Sequence, residues 1–599
     1  IMAETRGRGF LFNEVEINTP DRSSFDMSFE NRLSLNMGAL IPVSCQEAIP
    51  GDVFNGNPQF FARFAPMLAP IMHKVDLFHY TFFVPNRLLW KSWQDFISPG
   101  DGKKTMANLS DGSYVPPEKP YFRTTGNSYD NYALSGLKFL QRGSLIDYLG
   151  AFGVPDSNGV ARRRYVDALP FRAYQLIYDE YFRDQNVTPS IDLSLEDGLC
   201  EDNGNVAETS KLLTLRYKAW EHDYFTSALP EPQRGPDVFL PMGDTAKLKV
   251  DPTLGDTYIR ANSNKQPIDM DYEFPTAAAT NGDLRFIGGD ENGVIMARQV
   301  GTHTTSSSPS SAELRPSSQS ATAAYLDVTE NTYVDLTEAT SITMNTLRQA
   351  NALQKFLEKS ARVGGRYIES ILAHFGVNVP DARLQRPEFI SAGRVPVQVS
   401  ATTAESASNV TDGTTTWLNV QGTQTGNAIS SGSDSFNYTA LEHGFLMTIV
   451  CVLPRTAYFQ GIKRMFFNRK TYLDYAWPLF GHLGEQEVYN AEIYATPDLS
   501  TGDDELSEAN RDVFGYQSRY ADYKYNADEV HGDFCTSLDF WHMARKFESR
   551  PYLNQSFIQS DPTTRIFAVT DKDVHHIYLD CWFELYKESA LPLYGTPAL

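Results

Sequence analysis

The chain has 599 residues and a formal net charge of −22 at pH 7. Phosphate binding needs clustered Lys and Arg, so this charge excludes a surface that coats nucleic acid throughout, while leaving room for a small basic patch on one face. A 41% hydrophobic and 13% aromatic content excludes global disorder and suffices for both a large core and extensive contact surfaces. Length alone favours about three or four domains.

In chain order, residues 39–55 (ALIPVSCQEAIPGDVFN) open a series of aromatic- and proline-rich blocks, followed by FFVPNRLLWKSW at 82–93. Residues 75–84 (VDLFHYTFFV) read as an apolar strand ended by Pro85-Asn86, and residues 165–182 as a helix. DYFTSALPEPQRGP follows at 223–236. Residues 247–335 form a polar, acidic insertion containing a Ser-rich run. Residues 343–362 predict a helix, with Leu347, Ala350, Leu353, Phe356 and Leu357 on one stripe and Arg348, Lys355, Glu358 and Lys359 opposite. Gly364-Gly365 breaks it, and a second short helix is expected over 367–375, capped by Gly376.

FGVNVPDARLQRPEF follows at 375–389, and residues 402–435 read as a Ser/Thr/Gly-rich loop. Residues 444–453 (GFLMTIVCVL) form a strand stopped by Pro454. WPLFGHLGEQ (477–486), FGYQSRYADY (514–523) and LDFWHMA (538–544) continue the aromatic series. Finally, 574–586 alternates Ile577, Leu579, Cys581, Phe583 and Leu585 against Tyr578, Asp580, Trp582 and Glu584, the period of a strand with one buried face. Well-separated strands with Pro-rich punctuation favour an all-β sandwich or barrel with long connections.

No catalytic signature emerges. The five cysteines (Cys45, Cys200, Cys451, Cys535, Cys581) lack close spacing and read as buried free thiols rather than a disulfide framework or zinc site. GDGKKT at 100–105 fails as a phosphate loop because Ile97 stands where a glycine is required. His575 and His576 are adjacent, so in a strand they point to opposite faces. GGDENG lacks the spacing of a calcium loop, and His222 and His443 read as core histidines. Carboxylate pairs for glycoside hydrolysis leave no sequence spacing to read. Neither an N-terminal apolar export core nor a membrane-length apolar run is present. No cofactor or metal is expected.

Basic clusters are few: Arg6 and Arg8; Arg162, Arg163 and Arg164; and Lys463, Arg464, Arg469 and Lys470. The last group interleaves cations with Phe466, Phe467 and Tyr472, a composition suited to stacking and neutralising single-stranded nucleic acid. Arg6, Arg8, Lys463, Arg464, Arg469 and Lys470 are therefore the DNA-facing candidates. The alternative is a solvated face beside core aromatics.

These blocks, with AIPGDVFN (48–55), the long run LRQANALQKFLEKSARVGGRYIESILAHFGVNVPDARLQRPEF (347–389), EHGF (442–445) and GEQEVYNAEIY (484–494), resemble the major capsid proteins of the Microviridae, most of all the gokushovirus type. ISAG at 390–393 and the LPLYGTPAL ending depart from the family pattern locally. The resemblance implies a mainly β fold: an eight-stranded antiparallel jelly roll with long loop insertions and a few helices. It implies one such domain over the whole chain, with 247–335 as a variable threefold surface protrusion. It implies a structural, non-enzymatic shell subunit, with about sixty copies in a T=1 icosahedral virion around circular single-stranded DNA. The implied partners are further copies of the chain, the packaged DNA, a small basic DNA-binding protein, a minor pilot protein, an internal scaffolding protein during assembly in the host cytoplasm, and a host cell-surface receptor. The competing reading is a β-sandwich lectin or glycosidase with aromatics lining a sugar cleft.

Overall fold

The computed structural model describes residues 22–97, 117–122, 141–154, 165–200, 211–233, 344–363, 385–403, 424–497 and 507–594, with isolated short strands between 247 and 335 and between 408 and 419. Arg6, Arg8, the arginines at 162–164 and the helix expected at 367–375 lie outside the described residues. The chain divides into two compact units, Ile1–Gly235 with Leu357–Leu599, and Pro236–Phe356.

The first unit is built on two antiparallel sheets. Their strands, in chain order, are β1 (Ser23–Asp26), β2 (Phe29–Leu35), β3 (Ile41–Ala48), β4 (Val53–Phe64), β5 (Val75–Pro85), β6 (Glu388–Pro396), β7 (Gln398–Thr403), β8 (Gln424–Ser433), β9 (Phe436–Thr439), β10 (Gly444–Pro454) and β11 (Ile577–Ser589). One sheet runs β6-β5-β10-β3. In the other, β11 pairs with β4; β1 and β2 lie end to end along the free side of β11, and β8 and β9 along the free side of β4, with β7 beyond β8. The expected strand at 574–586 is thus β11, displaced by three residues toward the C-terminus.

The two sheets bury different numbers of faces, and their sequences differ accordingly. β4 and β11 alternate strictly between buried and exposed positions because one face meets the other sheet and one is open. Phe60, Ala62, Phe64, Leu579, Cys581 and Phe583 pack from that sheet against Ile41, Val43, Val75, Leu77, Val450 and Val452 of the other. β5 and β10 are buried along nearly their whole length. Their second face carries Phe78, Phe82, Val84, Met447, Ile449 and Cys451, covered by Trp90 and by α1 (Leu169–Ile177). Burial on both faces removes the selection for alternation, which is why these strands read as continuous apolar runs. α1 is anchored to β3's approach by Tyr174 Oη, which donates to the Leu40 carbonyl (2.8 Å). The helix expected at 165–182 starts at Leu169, with Pro170 in its first turn, and widens into a π-turn over Tyr178–Phe182.

The tract at 402–435 contains β8 and the hairpin Ser408–Asp412/Thr415–Asn419. In β8 the buried positions are Gly426, Ala428 and Ser430, so the alternation is one of size rather than hydropathy. A Cβ at Gly426 would collide with the Ala69 carbonyl, so only a bare backbone fits there. In the second unit the insertion is closed by two nested antiparallel pairs, Lys247–Val250 with Thr332–Asp335 and Ile259–Ala261 with Ala324–Leu326. α2 (Met344–Val363) matches the expected helix, and Leu347, Leu353 and Phe356 of its stripe are exposed.

Candidate assembly and nucleic-acid interface

The aromatic blocks fall into two groups. Those at 39–55, 82–93, 223–236 and 514–523 largely build the interior: Phe54, Phe83 and Trp90 are fully buried, and Tyr224, Phe225 and Phe514 form a satellite core with Tyr458, Val488 and Phe557. The stretch that follows β10 behaves differently. Met465, Phe466, Tyr472, Leu473, Tyr475, Trp477, Leu479 and Leu483 are all exposed, with Phe466 at 72% and Leu479 at 81%. Scattered exposed apolar residues are ordinary, but a contiguous run of this kind marks a contact surface.

This stretch holds its shape without a helix or sheet. Ile462 N–H donates to the Ala491 carbonyl (2.8 Å) and Ala495 N–H to the Gln460 carbonyl (2.9 Å), pinning its entrance. Gly461 passes so close to the Glu492 carbonyl that a Cβ there would overlap it. Short 3₁₀ turns follow at Arg464–Phe466, Tyr472–Asp474 and Pro478–His482. Asp474 Oδ2 accepts from Lys470 N–H (2.9 Å) and from Thr471 N–H and Oγ1 (2.6 and 3.1 Å), closing the middle turn. The Thr471 amide first, then its hydroxyl and the Lys470 amide, hold the Asp474 carboxyl below its ordinary range. Trp477 Nε1 donates to the Tyr472 carbonyl (2.8 Å).

The basic residues of this stretch separate into two roles. Arg464 is buried and pairs through Nη1 with Glu492 Oε1 (3.0 Å), while Glu492 also accepts from Tyr224 Oη (2.8 Å) and Tyr489 N–H (3.0 Å). Burial raises the Glu492 carboxyl above its usual range even beside that guanidinium. Arg469 bonds Asp522 and lies over the Tyr523 ring at 4.9 Å. Lys463 is half exposed and pairs with Glu529 (2.8 Å); Lys470 is exposed. The structure thus brings Lys463, Arg464, Arg469 and Lys470 into one region, with the two arginines turned inward and the two lysines toward solvent.

One of two cavities borders this region, and the other is lined by residues outside it. The first, of about 170 Å³, is lined by Arg464, Asn468, Arg469, Asp474, Gln486, Tyr489, Arg519 and Tyr520. The other is an open groove of about 1180 Å³ whose walls include Lys218, Arg394, Arg455 and Lys524 alongside Glu221, Asp223 and Asp528. Asp223 is committed to structure, accepting from Thr456 Oγ1 and, at 2.8 Å, from Tyr458 Oη. Among the described residues no His, Cys, Asp or Glu cluster could hold a metal ion, and no helix is long and apolar enough to cross a membrane. The five cysteines are free, and burial pushes the Cys45 and Cys451 thiols up to about 12, so neither is a nucleophile. His575 and His576 diverge, bonding Ser34 Oγ (2.8 Å) and the Val569 carbonyl (2.7 Å).

The described residues thus form a two-sheet β-sandwich that carries a long exposed apolar stretch. Residues 13–599 match the family model described as "Capsid protein (F protein)". The chain is 33% identical to capsid protein VP1 of Chlamydia phage 1 over 98% of its length and 97% of that protein's. It is 33% identical to capsid protein VP1 of Bdellovibrio phage phiMH2K (96% and 95% of the two chains), and 27% identical to capsid protein VP1 of Spiroplasma virus 4 (100% and 99%). The chain belongs to this F-type capsid family, the major capsid proteins of the Microviridae. As such it is a component of the virion that self-assembles into a shell, and its relatives are structural proteins, not enzymes.

Proposed function

We propose that the sandwich is an eight-stranded jelly roll and that about sixty copies close into a T=1 icosahedral shell around circular single-stranded DNA. Counting β1 with β2 and β8 with β9 as single interrupted strands and setting β7 aside as an added edge strand, one sheet runs β2-β11-β4-β8 and the other β3-β10-β5-β6, an order that supports the reading. The observation that carries the assembly proposal is the exposed stretch from Met465 to Leu483. Eight large apolar side chains held on rigid turns form a surface that a second copy of the chain covers at a subunit contact. Closed symmetry requires several such patches per subunit, and a Pro- and aromatic-rich stretch supplies one without needing a regular element.

Two further proposals follow from the same frame. Lys463 and Lys470 face packaged DNA, together with Arg6 and Arg8 of the N-terminal segment, while a small basic protein supplies most of the neutralisation that a chain at −22 does not. The insertion at 247–335 projects outward at the threefold axis and touches the host surface receptor. A pilot protein and an internal scaffolding protein complete the assembly line, which runs in the host cytoplasm.

The test is the sedimentation of expressed full-length protein. Wild type is expected to form megadalton particles visible by negative-stain microscopy, and Phe466→Asp/Leu479→Asp to remain a folded subunit with the unfolding midpoint of wild type. Particles formed in undiminished yield by the double variant would remove this stretch from the contacts. A small, stable oligomer for wild type would favour the lectin reading.

A further inference from the structure

The smaller cavity has features that subunit contact leaves unexplained. Arg519 and Tyr520 enter it from the end of the strand Val513–Ser518, which pairs with Glu485–Tyr489. Tyr520 is the sole non-glycine residue with positive φ (60°) among the described residues, a strained conformation for a bulky side chain. It is held there by its N–H, which donates to Gln486 Oε1 (2.9 Å), while Gln486 Nε2 donates to Asp522 (3.2 Å). The residue is only 7% exposed, yet the hydroxyl has no hydrogen-bond partner among the described residues. The buried Nε of Arg519 likewise has none, although the guanidinium stacks over Tyr520 at 5.0 Å. A buried orphan hydroxyl and a buried orphan guanidinium N–H are each costly, and two side by side in a polar cavity are the form of a site awaiting an acceptor.

The charges around the cavity define that acceptor. Three guanidinium groups and one carboxylate contribute to the lining. Glu492 and Asp522 stand behind Arg464 and Arg469 and offset their charge, and Asp474 is saturated by the turn at 470–471. Arg519 has no carboxylate partner among the described residues, so its guanidinium is the one cation of the lining left without a paired carboxylate, while Asp474 keeps its own negative charge on the turn. We propose that Arg519 and Tyr520 form a pocket for one singly charged phosphate oxyanion, and that its source is a backbone phosphodiester of single-stranded DNA. The planar guanidinium fork suits phosphate oxygens, and the capsid reading supplies single-stranded DNA as their source. This inference rests on the capsid reading and narrows it: the nucleic-acid contact moves from the outward lysines alone to a built pocket between them and the strand pair.

Affinity of the full-length protein for a short oligothymidylate, measured by anisotropy across a salt series, tests it. Arg519→Met is expected to weaken binding about tenfold or more and to reduce the log–log salt slope by about 0.7. Arg519→Lys keeps the slope but recovers only part of the affinity. Tyr520→Phe is expected to weaken binding about threefold with the slope unchanged, because a neutral donor is lost. A parallel arm follows thermal stabilisation by inorganic phosphate against matched chloride. Stabilisation of wild type but not of Arg519→Met, with oligothymidylate binding unaltered, keeps the pocket and assigns it to free phosphate. Unchanged oligothymidylate affinity, salt slope and phosphate response in Arg519→Met overturns the proposal. So does a loss of particle assembly in that variant without either binding change, which would assign the pocket to a carboxylate of a neighbouring copy. Particles formed normally by Arg519→Met with weakened DNA binding leave the shell reading intact, so the two can fail separately.

Discussion

Asp52 lies in the AIPGDVFN segment and is wholly buried, with its Oδ2 2.6 Å from Lys587 Nζ and 3.0 Å from the Ile49 N–H that donates to it. Lys587 belongs to β11 and is itself nearly buried, its ammonium 5.4 Å from the Phe54 ring centroid. Two buried charges so placed add little net stability over an apolar pair, but removal of one leaves the other desolvated and unmatched. Lys587→Met is therefore expected to cost about 3–5 kcal/mol, read as a drop in the urea unfolding midpoint, whereas Lys587→Met/Asp52→Leu should recover most of it. A single variant as stable as wild type would show that the Asp52 carboxylate is satisfied without Lys587. Gly461 makes a second demand at one residue: any Cβ there meets the Glu492 carbonyl, so Gly461→Ala must displace the backbone that seats Arg464. It should destabilise the satellite core without touching the sandwich.

At the scale of elements, β8 shows how small side chains set the spacing of the sandwich. Ala428 is fully buried in the inter-sheet core, and Gly432 lies against Val395 of the opposite sheet. Ala428→Leu adds methylenes where no void receives them and is expected to cost about 1–3 kcal/mol, measured against the conservative Ala428→Ser. The same strand marks where the sequence is hard to read. β5, β10, β11, α1 and α2 were legible because each carries either a long apolar run or a clear period in hydropathy. β8 reads as a polar loop because its inward positions are Gly, Ala and Ser, chosen by space rather than by hydrophobicity. The basic cluster at 463–470 was visible by composition, yet nothing in its composition distinguishes the inward Arg464 from the outward Lys470. That difference is imposed by Glu492, which arrives on the short helix Asn490–Ile493 that follows the strand Glu485–Tyr489. Arg519 and Tyr520 were visible only as part of the family block FGYQSRY, since their partners in the cavity come from a segment distant in sequence.

For the whole molecule, acid is the condition to which this design is most sensitive. His73, His79, His542 and His575 all have their pKa values lowered, in each case chiefly by burial. His79 is the clearest: it is buried between the two sheets, stacks on Phe60 at 4.8 Å, and finds Asp434 only at 3.6 Å. A base whose folded pKa lies below its unfolded value near 6.5 takes up a proton more readily in the unfolded chain. The unfolded state then binds more protons as pH falls from about 6.5, so stability decreases in that direction and is fully present above it. The subunit's thermal midpoint is accordingly expected to be flat from about pH 8 to 7 and to fall steadily below about 6.5. His79→Phe keeps the ring stacked on Phe60 and removes one titrating group from the core, so its decline with acid should be shallower than that of wild type. An identical slope in the two proteins would mean that Asp434 moves in to pair with the protonated ring, and that the sensitivity arises at the other three histidines. In an assembled shell the subunit contacts add stability that does not depend on these groups, so particles should tolerate a pH at which free subunits have begun to unfold.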